Sequence, residues 1–164
     1  MQIMAKLKAK TRSWEELEAM LQKMEERVGG IGNNLGDVAE DFFYDGLNTK
    51  KRLGKIHFDD VARNVHVKKG EYDIVLYNKD SVGIVEVKHK LHPDDVKKFA
   101  QVTIPLFKKE LPQYAHLKTY GAVAGLSVPK DSRELAEKLG LFVLTQSGDS
   151  LKMVNSAEFA PKIM

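Results

Sequence analysis

The stretch from Gly70 to Lys90 constrains this chain more than any other. Two runs rich in β-branched and aromatic residues, Glu71 to Tyr77 and Val82 to Lys90, flank the polar segment Asn78-Lys79-Asp80-Ser81. That pattern predicts a β-hairpin. A turn centred between Lys79 and Asp80 pairs Asn78 with Ser81 and Tyr77 with Val82. Carried along both strands, the same register sets Asp73 opposite Glu86 and Glu71 opposite Lys88. Side chains alternate along a strand, so Asp73, Glu86 and Lys88 are expected on one face. Isoleucine, valine and leucine surround them in sequence, so that face is expected to be partly buried.

Such a face needs a counterion. Like charges directly opposite each other destabilise a sheet. Two carboxylates about 5 Å apart at an effective dielectric of about 20 repel by roughly 3 kcal/mol. A favourable cross-strand pair contributes only about 0.2–1 kcal/mol. Repulsion wins unless a proton or a cation sits between the acids, and oxygen ligands suit a hard divalent ion. The competing structural reading is a set of cross-strand ion pairs, led by Glu71 with Lys88. It leaves Asp73 and Glu86 without a role.

Composition excludes several classes. The chain has 164 residues, 43% hydrophobic and 30% charged, as in globular proteins. It has no cysteine, which removes disulfides, cysteine zinc sites and thiol nucleophiles and fits a cytoplasmic location. No apolar run approaches the length of a membrane span, and the N-terminus has no apolar signal core, so no membrane partner is expected. Net charge is +3 but unevenly spread. Residues 13–47 carry two basic and nine acidic side chains, and residues 48–109 carry fourteen basic and eight acidic. The basic block surrounds the hairpin, where a polyanion would land, although a lysine-rich solvated surface has the same composition.

Before the hairpin, Lys6, Lys8, Lys10 and Arg12 make a basic tail. Ser13 and Glu16 form a capping box for a helix to about Arg27. Its Trp14, Leu17, Leu21, Met24 and Val28 fall on a two-heptad seam. That seam packs on its own domain or forms a homodimer through the 14–28 helix. Gly29, Gly30 and Gly32 then stop the helix. The order lacks the strand and lysine of a phosphate loop, so the expected division is 1–30 and 31–164. A second helix is expected from Asn34 to Leu47 with Leu35, Val38, Ala39, Phe42 and Phe43 inward. Glu40 borders that stripe, where it is either a solvated flank or an inward-reaching acid. Short strand-like pieces at Ile56 to Phe58 and Val65 to Val67 have no evident pairing.

After the hairpin, Pro93 with Asp94 and Asp95 starts a helix, and Pro105 should kink or end it. Tyr120 to Val128 reads as a strand. Asp131 with Glu134 caps a helix that Gly140 stops, and Leu141 to Thr145 is a further strand. Strand, helix and strand in that order predict a parallel unit. The segment after Gly148 has no clear pattern.

Asp73, the segment Glu86-Val87-Lys88 and the order of elements over residues 34–145 resemble the PD-(D/E)XK nuclease superfamily. The resemblance implies an α/β fold with a restriction-endonuclease-like mixed sheet flanked by helices. It implies that Asp73 and Glu86 bind Mg²⁺ or Mn²⁺, joined by Glu40 from the preceding helix and by the backbone carbonyl of Val87. Lys88 then aligns the attacking water or stabilises charge on the phosphate. Tyr72 stands where the motif name places proline. The glutamine–tyrosine motif of one branch is incomplete, because Gln101 is followed four residues later by Pro105.

The implied function is hydrolysis of phosphodiester bonds in nucleic acid, DNA first, with Lys90, Lys97 and Lys98 on flanking phosphates. The alternatives are a catalytically inactive nucleic-acid-binding module on the same fold and a homo-oligomeric assembly module. His89 and His92 straddle a strand end and a proline and do not suit a shared zinc. Ser127 lacks the second glycine of a nucleophile elbow.

Overall fold

Two hydrophobic clusters lie on opposite faces of one six-stranded sheet. The computed structural model describes residues 34–164. The basic tail, the capped 14–28 helix with any dimer contact through it, and the glycine break lie outside the described residues. Helix α1 spans 34–50. A two-stranded ribbon follows, β1 (Arg52–Leu53) with β2 (Ile56–His57). The main sheet contains β3 (Asp60–His66), β4 (Glu71–Tyr77), β5 (Ser81–Lys90), β6 (Lys118–Ser127), β7 (Phe142–Ser147) and β8 (Ser150–Met153), side by side in chain order. Pairings are antiparallel from β3 to β5, parallel from β5 to β7, and antiparallel again at β8. This is the mixed α/β architecture expected from the sequence, with the segment after Gly148 supplying the edge strand β8.

Helix α1 covers one face. Ala39, Phe43 and Leu47 recur every four residues and pack with Ile74, Leu76, Val85 and Val87. The inward stripe therefore runs one step later than expected: Leu35 and Val38 are exposed, and Leu47 completes the contact. Val38 sits about 100° around the helix from Ala39, far enough to leave the sheet. Phe43 is wholly buried. Phe43→Ala should cost about 3–5 kcal/mol, read as a lowered urea midpoint at unchanged slope.

Helices α2 (Pro93–Lys98), α3 (Ile104–Glu110) and α4 (Lys130–Lys138) cover the other face. Val96, Phe99, Ile104, Phe107 and Ala136 pack there with Tyr72, Val75, Val82 and Ile84. Pro105 does not end the helical path. It lacks an N–H, and its ring would strike the carbonyl four residues back. The chain widens instead into a π-turn over Phe99–Thr103, with the Ile104 N–H donating to the Phe99 carbonyl. Asp131 does not cap α4 from outside. Pro129 holds the cap position, and Asp131 lies in the first turn, accepting from the Ser132 N–H at 2.9 Å. Gly140 ends α4 at φ +79°, where an L side chain is strained.

Candidate active site

The hairpin forms in the expected register as far as it goes. Tyr77 pairs with Val82, and pairing continues to Ile74 with Val85. There the two strands part. Asp73 is the next residue of β4, and its carboxylate takes the place of the partner backbone: the Val87 N–H donates to Asp73 Oδ2 at 2.9 Å. Only β6 continues to pair with β5, out to Lys90 with Ser127.

The other side of Asp73 is irregular as well. β3 and β4 pair at Arg63 with Ile74 and again at Val65 with Tyr72. The intervening Asn64 has φ +52°, a left-handed conformation that asparagine tolerates better than most residues. The in-and-out alternation of β4 slips at the same point. Ile74 and Leu76 belong to the α1 side of the sheet, whereas Tyr72 belongs to the opposite side. Asp73 thus stands at a fault in the sheet, with neither neighbouring strand pairing regularly beside it.

Two further acids feel Asp73 at this fault, Glu40 from α1 and Glu86 from β5. Burial first, then the Asp73 charge, pushes the Glu86 carboxyl up to about 8, with Lys88 opposing and Asp95 adding to the rise. Glu40 is raised by burial, then by Asp73 and Asp37, with Arg63 opposing. Desolvation and like charge together disfavour the ionised forms, as the sequence suggested for Glu86 beside Asp73 but not for Glu40.

Lys88 stands beside this cluster. Its Nζ is 3.9 Å from Glu86 Oε1, an ion-pair separation too long for a hydrogen bond. The expected Glu71–Lys88 pair does not form, because the strands have separated before reaching it. Glu71 faces His66 on β3 instead, at 3.8 Å. Lys98 from α2 lines the same cavity as Glu86 and Lys88. Lys90 and Lys97 are exposed and lie outside that lining. The Val87 side chain is buried in the core. Among the described residues, no group of three or more histidine, aspartate or glutamate side chains is already spaced as a metal cage.

Arg63 escaped sequence reasoning. Its guanidinium is 2.8 Å from Asp41 Oδ1, lies 4.9 Å from the Tyr44 ring centroid, and lowers the Glu40 carboxyl from the third side. The missing signal was the pairing of β3. Extending the hairpin register backwards would have set Arg63 opposite Ile74, next to the acids.

No protein-family model matches the chain, and no curated protein matches it by sequence. No helix among the described residues is long and apolar enough to cross a membrane. Among solved structures, the chain is similar to the crystal structure of a repair endonuclease from Pyrococcus abyssi, at 17% identity and a TM-score of 0.49. That match covers 66% of this chain and 46% of the other, so it spans less than half of the neighbour's length.

Proposed function

We propose that this chain is a divalent-metal-dependent phosphodiesterase of the PD-(D/E)XK type, acting on nucleic acid and on DNA in the first instance. The observation that carries this reading is that Asp73 raises both Glu40 and Glu86, the latter beside Lys88. Two carboxylate pairs that share Asp73 are hard oxygen donors whose repulsion a Mg²⁺ or Mn²⁺ ion would relieve on drawing them together. Asp73, Glu86 and Glu40, with the Val87 carbonyl, are the groups that would hold it. When bound, such an ion polarises a phosphoryl oxygen and lowers the pKa of a water molecule.

The chain's own residues supply the rest. The Val87 N–H fixes one Asp73 oxygen and so orients the carboxylate. Lys88 is about two-fifths exposed while Glu86 is only one-fifth exposed, so its ammonium can meet an incoming phosphate without dragging the acid into water. As a mobile point charge it stabilises negative charge developing on the phosphate. Lys98, with Lys90 and Lys97 farther out, attracts flanking phosphates without reading sequence.

The test is Mn²⁺ titration calorimetry together with a cleavage panel of single-stranded, duplex and supercoiled DNA and of RNA. Wild type should bind the metal and give products only in its presence. Lys88→Ala should keep most of the metal heat and lose cleavage by about 10²–10³-fold. Salt-sensitive retention of DNA without products under either ion would assign a non-catalytic binding module instead.

A further inference from the structure

Beside the acids, on the α2–α3 side of the sheet, a cavity of about 300 Å³ opens with Glu86 and Lys88 in its wall. That volume is at the lower end for ligand pockets, enough for one small group. Its opposite wall is a single helical stripe that runs through the π-turn: Lys98, Phe99, Val102, Thr103 and Leu106. The π-turn that accommodates Pro105 is therefore also part of the cavity's lining. Phe99 is buried beneath, whereas Val102 is 53% exposed, an apolar side chain at the rim.

The end of the cavity is kept open by a missing side chain. A Cβ at Gly70 would come within 2.9 Å of the Tyr72 hydroxyl and 3.3 Å of Leu106. Tyr72 itself is fixed by edge-on packing against Phe107 at 5.1 Å. The lining holds three lysines, Lys69, Lys88 and Lys98, against three acids, Glu71, Glu86 and Asp95, but two of the acids are engaged elsewhere. Asp95 is turned to its own helix start, accepting from the His92 N–H at 2.9 Å, and Glu71 faces His66. Lys69 and Lys98 pair with no carboxylate among the described residues. Lys69 and Lys98 thus flank a hollow that is continuous with Glu86, its charged lining relieved by one apolar stretch at Val102 and Leu106.

We propose that this cavity seats the unstacked base of the nucleotide adjoining the scissile phosphate, with Lys69 and Lys98 on its backbone, so that the site favours single-stranded substrate. The proposal rests on the hydrolytic reading above and specifies its substrate. A phosphate alone would engage the lysines and leave the Val102 and Leu106 wall uncovered. A stacked duplex keeps its bases out of reach, while a single strand presents them at small cost.

The test uses the full chain carrying Asp73→Asn, so that nothing is cut. Three fluorescein-labelled probes of equal length are compared by anisotropy at fixed salt: a mixed-sequence DNA single strand, its blunt duplex, and an abasic sugar–phosphate strand. The single strand should bind about tenfold more tightly than either of the others. Equal affinity for all three probes overturns the subsite and leaves the hydrolytic reading standing if wild type still cleaves. Loss of binding to every probe, together with no cleavage by wild type, overturns both.

Discussion

Asp73→Asn should abolish metal-dependent cleavage, by about a thousandfold or more, while leaving the protein folded. Asp73 is the acid whose charge raises both Glu40 and Glu86. An amide at that position removes the shared negative charge on which cation binding would depend. The amide oxygen can still accept from the Val87 N–H, so the hairpin junction survives. The expected result is therefore a variant with no Mn²⁺ heat, no products and a melting temperature at or above that of wild type. Asp73→Ala separates the two roles. It also removes the acceptor, leaving a part-buried N–H at a cost of about 1–3 kcal/mol. Wild-type-like cleavage by Asp73→Asn would falsify the site assignment, whatever the fold does.

Glu86→Gln should stabilise the metal-free protein at alkaline pH and do little at pH 4. The Glu86 carboxyl titrates near 8 in the folded protein against an ordinary value of 4.5. Between those values the native state holds a proton that the unfolded chain has released, so stability falls as pH rises. The contribution is fully present below the unfolded value and is lost as pH climbs through the folded one. At about 1.4 kcal/mol per unit, the change amounts to a few kcal/mol after allowance for coupling to Asp73. For a chain of this size that is roughly 5–10 °C in melting temperature.

Melting in EDTA from pH 4 to 9 should show a decline in wild type that Glu86→Gln largely lacks, with the variant the more stable of the two at pH 8.5. Millimolar Mg²⁺ should restore wild type at pH 8.5 and leave the variant unmoved. Parallel pH profiles for the two proteins would mean that Glu86 is ionised in the fold at ordinary pH, and the case for a crowded acid cluster would fail.

Much of this was legible in the chain. The turn at Asn78 to Ser81 set the hairpin register, because a one-residue shift of a strand with one charged face would move whole sets of side chains to the other face. The repulsion between Asp73 and Glu86 could be inferred from that register alone. What could not be read was where the ladder stops. A side-chain oxygen that captures a backbone N–H ends strand pairing without any glycine or proline to announce it. The Glu71–Lys88 pair was lost for that reason.

Pro105 misled differently. A missing N–H has two remedies, ending the helix or widening it, and the local sequence does not choose between them. The choice is made by burial of Phe99, Ile104 and Phe107 on one side of the sheet. The inward reach of Glu40 was undecidable from its own helix, since it depends on the position of Asp73 on a strand distant in sequence.

Asn64 has one more effect. Among the described residues β3 is the outermost strand on its side of the sheet, a margin of the kind that can recruit a strand from a neighbouring molecule. A left-handed residue in mid-strand breaks the two-residue repeat that such recruitment requires. The distortion beside the acids therefore also disfavours edge-to-edge stacking of molecules into fibrils, so colloidal behaviour at high concentration is coupled to the shape of the acid cluster.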